Sequence, residues 1–294
     1  MSETVHAGDP GPVAIRARNV SFDTGAIGLH WIPGHPVASN FISSLNLLLP
    51  EGERWFVEAF DEALPYVDDD DLREAMRGFI GQEAKHSQVH DKVQWGFLKD
   101  NGIDPTPFAR QVEWVFRRVL GPRPELKGRR RRKRLIARLW IIAAVEHFTA
   151  VFGDFALNSS WDEAGAAPEL CDLYRWHGAE EVEHRAVAHD VATYFGDSYF
   201  RRLWAMVAAF PLLISILVRG THFINHHDPD APSSEIELWR AGYQDAKAGL
   251  LPGFGHFGGS LLAYLKPGYH PADIGSTAQA VAYLASSPAA RAAL

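Results

Sequence analysis

Two copies of the pattern Glu-x-x-His constrain the fold of this chain more than any other feature. The first copy is Glu83 and His86 in the segment FIGQEAKHSQVH, and the second is Glu181 and His184 in RWHGAEEVEHR. Residues three apart in sequence share one face of an α-helix. Apolar residues at helical spacing run into the first copy, so this face is predicted to be buried. The fold must therefore accommodate carboxylates and imidazoles in its interior.

A single glutamate precedes each copy at a similar distance in the sequence. Glu53 lies 30 residues before Glu83, and Glu146 lies 35 residues before Glu181. These distances accommodate one helix, a turn and a returning helix, so each half of the chain is predicted to form an antiparallel hairpin. Glu58 is the alternative to Glu53, but it shortens the first distance to 25 residues, and Glu53 is preferred.

This order of side chains predicts a site for two metal ions. One glutamate from each of two helices and a Glu-x-x-His pair from each of two others form the ligand arrangement of di-iron carboxylate bundles. Four carboxylates balance two divalent cations, so the cluster can occupy a low-dielectric core. The apolar run LWIIAAVEHFTAVF around Glu146 supports this, because an unpaired carboxylate would be costly there. Oxygen and imidazole ligands favour iron, with manganese or a mixed iron–manganese pair as the alternative.

Two further histidines lie on the same helix faces. His177 precedes Glu181 by four residues and is predicted to be a seventh ligand. His90 follows His86 by four residues, and it is predicted to be either a ligand or a side chain that orients one. A core histidine satisfied by hydrogen bonds is the alternative for both. No catalytic residue separate from the metal site is predicted.

The pattern of apolar residues along the chain is helical throughout. It predicts an all-α fold, a ferritin-like four-helix bundle with additional helices. Residues 1–37, rich in Gly and Pro, are predicted to be an extended N-terminal arm, and residues 38–294 a single helical metal-binding domain. The predicted helices span residues 38–64 with a break or kink at Pro50, about 70–100, 106–120, 130–157, 163–194, 198–225, 233–250 and 276–292. The segment PGFGHFGGSLLAY between the last two is predicted to be a flexible loop over the site.

Composition and charge indicate the cellular compartment and the kinds of partner that the protein could bind. A single cysteine excludes an internal disulfide, and the amino terminus has no apolar signal region, so a cytoplasmic protein is predicted. Residues 203–218 are uncharged but shorter than a membrane span, which favours a buried helix over peripheral membrane contact. The basic run GRRRRKR at residues 128–134 is interpreted as a solvated helix start, with an anionic partner or membrane as the alternative. No aromatic platform accompanies it, so nucleic acid is not expected.

Four segments carry a resemblance to a known family. LLPEGERWFVEAF, FIGQEAKHSQVH, WHGAEEVEHRAVAHDV and YLKPGYHP resemble the bacterial family of predicted metal-dependent hydrolases, from about residue 15 to residue 275. The motif residues are similar to those of ferritin-like di-iron proteins. The metal ligands implied by the resemblance are Glu53, Glu83, His86, Glu146, Glu181 and His184. The run His177, Glu181 and His184 also resembles the di-iron N-oxygenases of aryl amines, in which the additional histidine binds one iron.

These patterns support three hypotheses for function. The first is a di-iron oxygenase that uses dioxygen and an electron donor to oxidise a small organic substrate. The second is a hydrolase that activates water at the same two-metal site. The third is a non-enzymatic protein that stores iron or associates with a membrane. Whether the chain forms a homodimer is left open.

Overall fold

The computed structural model describes residues 13–293, which contain twelve α-helices and no strand. The all-α prediction is confirmed, and the arrangement is compatible with a ferritin-like bundle. The helices are α1 Pro36–Ser43, α2 Leu45–Ala63, α3 Asp70–Asp100, α4 Thr106–Trp114, α5 Gly128–Leu157, α6 Pro168–His184, α7 Val187–Tyr194, α8 Tyr199–His227, α9 Glu235–Lys247, α10 Phe254–Tyr264, α11 Thr277–Ser286 and α12 Pro288–Ala292. A π-helical turn, Val115–Val119, continues α4.

Four helices form the centre of the molecule as two neighbouring pairs. α2 packs along α3, and α5 packs along α6. The end of α2 lies beside the start of α5, because Glu62 accepts hydrogen bonds from Arg131 and Arg138, each at 2.8 Å. α2 and α5 therefore run in opposite directions. The helices that carry the predicted ligands surround one interior.

The start and end of α3 follow from its sequence. Asp69 caps the helix by accepting a hydrogen bond from the Leu72 amide at 2.9 Å, and Asp70 and Asp71 place negative charge in the first turn. Gly102 ends the helix with a φ of +80°, which favours glycine. These signals set the length of the helix that presents Glu83 and His86.

Several predicted helix boundaries are wrong, among them those of the helix predicted over 276–292, which is divided at Ser287 into α11 and α12. The first helix breaks at Ser44, whereas Pro50 lies inside α2. The helix predicted over 163–194 begins at Pro168 and is broken between α6 and α7.

The buried guanidinium of Arg185 turns back at the break between α6 and α7 and donates to the carbonyl of Val182. Arg185 also donates to Thr277 and to the carbonyl of Ala272, so the chain at this break is held to the segment that follows α10.

The segment predicted to be a flexible loop is a helix, α10. Its three glycines, Gly255, Gly258 and Gly259, disfavour a helix by about 1 kcal/mol each relative to alanine. Tyr264 is fully buried, and Phe257 and Leu261 pack against the core. Tertiary burial outweighs the weak intrinsic propensity of this segment. Helix α10 packs on α5.

The N-terminal segment crosses the bundle without forming a helix or strand between residues 13 and 35. It passes so close to α3 that a Cβ at Gly78 would lie 2.5 Å from the carbonyl oxygen of Ile15. Val20 and Phe22 on this segment are buried. Residues 1–12 of the predicted arm lie outside the described residues, and the predicted division into arm and domain stays a prediction.

Within the described residues, α5 and α8 are long and apolar enough to cross a membrane. The most apolar part of α5 is 72% buried, as expected of a core helix, whereas that of α8 is only 33% buried. An outer strip of α8 is exposed and apolar, and it includes Phe200, Trp204, Val207 and Val218. Residues 203–218 are therefore not fully buried, and peripheral membrane contact stays a prediction.

Candidate metal centre

The predicted ligands meet in one interior between α2, α3, α5 and α6. None of the seven side chains is more than 7% exposed, whereas the rejected alternative Glu58 is exposed. Ligand atoms within 4.8 Å of one another include three buried groups here, one of which is Glu53, His90 and His177, and the other two share Glu181. Of these two, the first is Glu83, Glu146, Glu181 and His184, and the second is His86, His177 and Glu181. Glu53 lies beside the second group, with its Oε1 3.9 Å from His177 Nε2.

Glu181 connects the two groups through its two oxygens. Its Oε1 lies 2.8 Å from His177 Nε2 and 3.5 Å from His86 Nδ1. Its Oε2 lies 3.4 Å from His184 Nε2. One carboxylate therefore faces both halves of the cluster, which is the geometry of a ligand that bridges two ions.

His184 presents a nitrogen lone pair to the cluster. Its Nε2 lies 3.1 Å from Glu83 Oε1 and 3.2 Å from Glu146 Oε2. Its Nδ1 lies 2.9 Å from Gln82 Oε1. The amide nitrogen of Gln82 donates to Glu183 at 3.0 Å, so the amide oxygen must accept from His184 Nδ1–H. The proton on Nδ1 leaves Nε2 free to bind a metal ion.

His86 is oriented by a different carboxylate. Its Nε2 donates to Glu180 Oε2 at 2.9 Å, so its Nδ1 is the nitrogen that faces the cluster and could bind a metal ion once deprotonated. Glu180 also accepts from Arg18 at 2.8 Å and from Trp176 Nε1 at 3.0 Å. These contacts fix the carboxylate that holds the imidazole.

His177 is oriented by a chain of hydrogen bonds. Asn46 Nδ2 donates to the carbonyl of Ser43 at 3.2 Å, so Asn46 Oδ1 accepts from His90 Nδ1 at 2.8 Å. His90 Nε2 then accepts from His177 Nδ1 at 2.5 Å, which turns the lone pair of His177 Nε2 towards Glu181. Both nitrogens of His90 are occupied in this arrangement. These hydrogen bonds are those of a side chain that orients a ligand, whereas the proximity of His90 to Glu53 and His177 also fits a ligand, so both alternatives for His90 stay predictions.

The supporting residues were not identified from the sequence. Glu180 is fully buried beside Glu181, and the pattern AEEVEH does not indicate which of its glutamates bonds to an imidazole. Arg18 lies 162 residues away from Glu180, and no local signal connects the two. Gln82 and Asn46 lie near the motifs in the sequence, and no other feature of the sequence indicates that they bond to the histidines.

The polar atoms inside the cluster fit a metal site. Eight buried side-chain atoms of the predicted ligands have no hydrogen-bond partner within the described part of the chain. These are both oxygens of Glu53 and of Glu83, Oε2 of Glu146 and of Glu181, Nδ1 of His86 and Nε2 of His184. Buried polar atoms without partners are costly, and metal ions would satisfy all of them. The donor set is oxygen and nitrogen without thiolate, which suits iron, manganese or zinc.

Burial and mutual repulsion alter the protonation of the cluster. Burial, reinforced by Glu181, raises the pKa of Glu146 to about 8. Burial and the nearby Glu83 raise the pKa of Glu53 well above its ordinary value. Burial alone would lower the pKa of His184, but Glu181 and Glu146 raise it well above the ordinary value. The metal-free cluster therefore holds protons at neutral pH, and a bound metal ion must displace them.

A cavity of about 100 Å³ adjoins the cluster, and we call it the chamber. Its lining is mostly aliphatic and aromatic and comes mainly from α2, α5 and α8, with contributions from α3, α6, the π-helical turn and α10. Its apolar side chains include Leu45, Leu48, Leu49, Phe56, Phe116, Leu120, Ile141, Val145, Phe148, Phe152, Ala209, Leu212, Leu213, Ile214, Ile216, Leu217 and Phe257. Its polar side chains are Glu53, Glu83, His177 and Glu181 of the cluster, together with Thr149 and Tyr174.

A second group of potential ligands, His189, Asp190 and His270, has a different geometry. His270 Nδ1 accepts a hydrogen bond from the Ala272 amide at 3.2 Å. Its Nε2 must then carry the proton that it donates to Asp190 at 3.1 Å. The imidazole offers no lone pair to a metal ion, so this pair fastens the segment after α10 to α7.

Comparison with known families supports a metal-dependent protein. A family model described as "Predicted metal-dependent hydrolase" matches residues 16–275, which include the whole cluster and the chamber. No curated protein and no solved structure matches the chain.

Proposed function

The chain belongs to the family of predicted metal-dependent hydrolases, and we propose that it is an enzyme with two divalent metal ions in its buried cluster. The observation that carries this proposal is the orientation of three imidazoles. His86, His177 and His184 each commit one nitrogen to an outer hydrogen bond and turn the other towards shared carboxylates. Metal ions would bind these inner nitrogens in place of the protons that the metal-free cluster holds.

Charge and geometry together support two ions rather than one. Glu53, Glu83, Glu146 and Glu181 bring four negative charges, which two divalent ions neutralise. We assign Glu83, Glu146 and His184 to one ion and Glu53, His86 and His177 to the other, with Glu181 between them. The protein contributes a fixed set of neutral imidazoles and ionised carboxylates, and it excludes bulk water from them.

Hydrolysis is the reaction that the family description supports. Bound metal ions supply an activated water and polarise the group that is attacked. The residues of this chain would hold the ions at a fixed separation and position the substrate in the chamber beside Glu53 and Glu181. In this proposal the carboxylates of the cluster are also the nearest acceptors for the proton of the water.

Oxidation by dioxygen is the second candidate, and the donor set favours it. Four glutamates with imidazoles suit iron or manganese, and hydrolytic two-metal sites need polar groups around the developing charge. The chamber offers almost none beyond the cluster itself. This reaction would require iron and an electron donor as additional partners.

Metal analysis tests the shared part of the proposal. We expect purified protein to bind two transition-metal ions per chain, measured by mass spectrometry of the metals. Glu181→Gln should bind one ion or none, because it removes the shared ligand. The control is Glu58→Gln, an exposed glutamate of the same helix as Glu53, which should keep both ions. Wild-type protein without bound metal would overturn the proposal, and many ions per chain would indicate storage.

A second experiment separates the two reactions. Ferrous protein prepared without oxygen is mixed with dioxygen, and oxygen consumption is recorded. The same preparation is tested without oxygen on a panel of neutral esters and lactones. Hydrolysis that is lost in Glu181→Gln supports the hydrolase, and oxygen uptake lost in that variant supports the oxidase. Activity retained in Glu181→Gln would place the reaction outside the cluster.

A further inference from the structure

The volume of the chamber and the polarity of its walls limit the chemical class of the substrate. We propose that the substrate is an uncharged molecule with one polar group, which faces the cluster, and a slender apolar part that fills the chamber. This inference rests on the proposed function, because it assumes that the cluster is the reacting centre. It follows from the distribution of polarity along the chamber walls.

Polar atoms lie at one end of the chamber only. Glu53 and Glu181 mark that end, and the walls away from it are formed by side chains such as Leu48, Phe148 and Leu213. Of the two hydroxyl groups in the lining, Thr149 Oγ1 donates to the Glu146 carbonyl at 3.1 Å. The other, on Tyr174, accepts from Asn46 Nδ2 at 2.7 Å. Apart from these two hydroxyls and the cluster, the lining has no polar side chain, so a polar group against the apolar walls would lose its hydrogen bonds to water without replacement.

Charged groups are excluded more strongly than polar ones. No lysine or arginine lies among the residues that line the chamber, so a carboxylate or phosphate on the far part of a substrate would be buried without a partner. A far ammonium group would meet the same apolar walls. Only a group placed at the cluster could be compensated.

The size of the chamber limits the apolar part. A cavity of about 150 Å³ lined by apolar side chains accommodates benzene. The chamber is smaller, at about 100 Å³, so it fits a short alkyl chain or one flat ring without movement of its walls. Ala209 is the smallest side chain with a Cβ in the lining, and it lies on α8 opposite the bundle core. The volume at this position therefore controls the length of chain that can enter.

A matched pair of ligands tests the charge requirement. Binding of 1-butanol and of 4-hydroxybutanoate to the metal-loaded protein is measured by calorimetry. The two share the hydroxyl end and the chain, and they differ in the charge at the far end. We expect the hydroxy acid to bind at least tenfold more weakly. Equal or tighter binding of the hydroxy acid would overturn the inference.

Variants of α8 test whether the alcohol occupies the chamber. Ala209→Leu should weaken binding of 1-butanol more than binding of methanol, and Leu213→Ala should improve binding of longer alcohols. Val207→Ala is the control, because Val207 lies on the exposed face of the same helix. An equal response of all three variants would overturn the inference.

The metal content of each sample separates the two proposals. Protein that holds two metal ions but binds no neutral alcohol would refute the substrate class alone. Protein that binds the alcohol selectively but holds no metal would refute the proposed function, and the selectivity of the chamber would stand.

Discussion

Arg18 donates to Glu180 Oε1 at 2.8 Å, although 162 residues separate them in the chain. The other oxygen of Glu180 accepts from His86 Nε2 at 2.9 Å. The same N-terminal segment supports His184, because the Arg16 carbonyl accepts from the amide of Gln82 at 3.3 Å. The segment before α1 therefore holds the hydrogen-bond partners of two proposed metal ligands.

We expect loss of these contacts to weaken metal retention. Glu180→Ala removes the acceptor of His86 Nε2–H, and removal of such an outer partner typically costs 10–100-fold in metal affinity. Arg18→Ala should have a smaller effect, because Glu180 remains. Release of metal to a chelator, followed by optical absorption of the chelate, measures both. Lys85→Ala is the control, since Lys85 bonds Asn19 of the same segment but no residue of the cluster.

Glu180→Ala should weaken the binding of only one of the two metal ions. Release of metal to the chelator should therefore be biphasic. Release of both ions at the wild-type rate from Glu180→Ala would contradict the orienting role of this carboxylate. A change of the same size in Lys85→Ala would indicate that the segment acts only through general stability.

Gly153 and Gly178 allow α5 and α6 to cross at close range. A Cβ at Gly153 would lie 2.5 Å from the Gly178 carbonyl oxygen, and one at Gly178 would lie 2.7 Å from Gly153 Cα. Since both obstacles are backbone, Gly178→Ala should lower the free energy of unfolding by about 1–3 kcal/mol or more. Urea unfolding of the metal-free protein measures this. Gly96→Ala in α3 meets no atom within 4 Å and should instead stabilise, by up to about 1 kcal/mol.

An unchanged stability of Gly178→Ala would contradict the close crossing. The effect should extend to the cluster, because Gly178 follows the proposed ligand His177 on α6. We therefore expect weaker metal binding in this variant at temperatures at which it remains folded.

The sequence predicted the fold class and the residues whose side chains converge. It did not predict the side chains that orient them by hydrogen bonds. Helix geometry is local, so the spacing of residues along the sequence is enough to predict it. This holds for the helical periodicity and for the distances from Glu53 to Glu83 and from Glu146 to Glu181. The partners of the histidines come from distant parts of the chain, as Arg18 does for His86, and no spacing rule connects them.

The wrong helix boundaries have a related cause. The break after His184 depends on where the buried Arg185 finds its acceptors, and α10 forms because Tyr264 is buried in spite of its glycines. Both are outcomes of tertiary packing that overrides local propensity.

The protonation of the cluster predicts how pH affects the metal-free protein. Between pH 6.5 and 8 the folded chain keeps a proton on Glu146, whose pKa is about 8, whereas the unfolded chain has released it. The raised pKa of His184 acts in the same direction. The folded state therefore binds more protons in this window, and its free energy of unfolding falls as pH rises.

Metal ions should remove this dependence, because they replace the protons. We expect the midpoint of thermal unfolding to fall from pH 6.5 to 8 in chelator-treated protein and to change less with saturating manganese. Metal affinity should rise over the same window. In chelator-treated Glu146→Gln the midpoint of thermal unfolding should fall less between pH 6.5 and 8 than in the wild type. Parallel curves with and without metal would contradict these pKa shifts.

The exposed strip of α8 predicts contact with an anionic membrane surface. Phe200 and Val207 are 80% and 72% exposed, and Trp204 lies between them on the same face. Exposed Arg201 and Arg219 bound the uncharged stretch at its two ends, which complements anionic headgroups. The strip covers only one face of α8, and an apolar stripe on one face suits an interfacial position. We expect the protein to float with vesicles that contain phosphatidylserine and to be released by salt.

Substitution within the strip provides the decisive comparison. The double variant Phe200→Ser and Trp204→Ser should lose most of the vesicle binding, because it removes the largest apolar surface without altering charge. Trp239→Ser is the matched control, since Trp239 is an exposed tryptophan of α9 outside the strip. Equal loss in both variants, or binding of the wild type to neutral and anionic vesicles alike, would contradict this orientation. Metal content should stay at the wild-type level in all variants, because the strip faces away from the cluster.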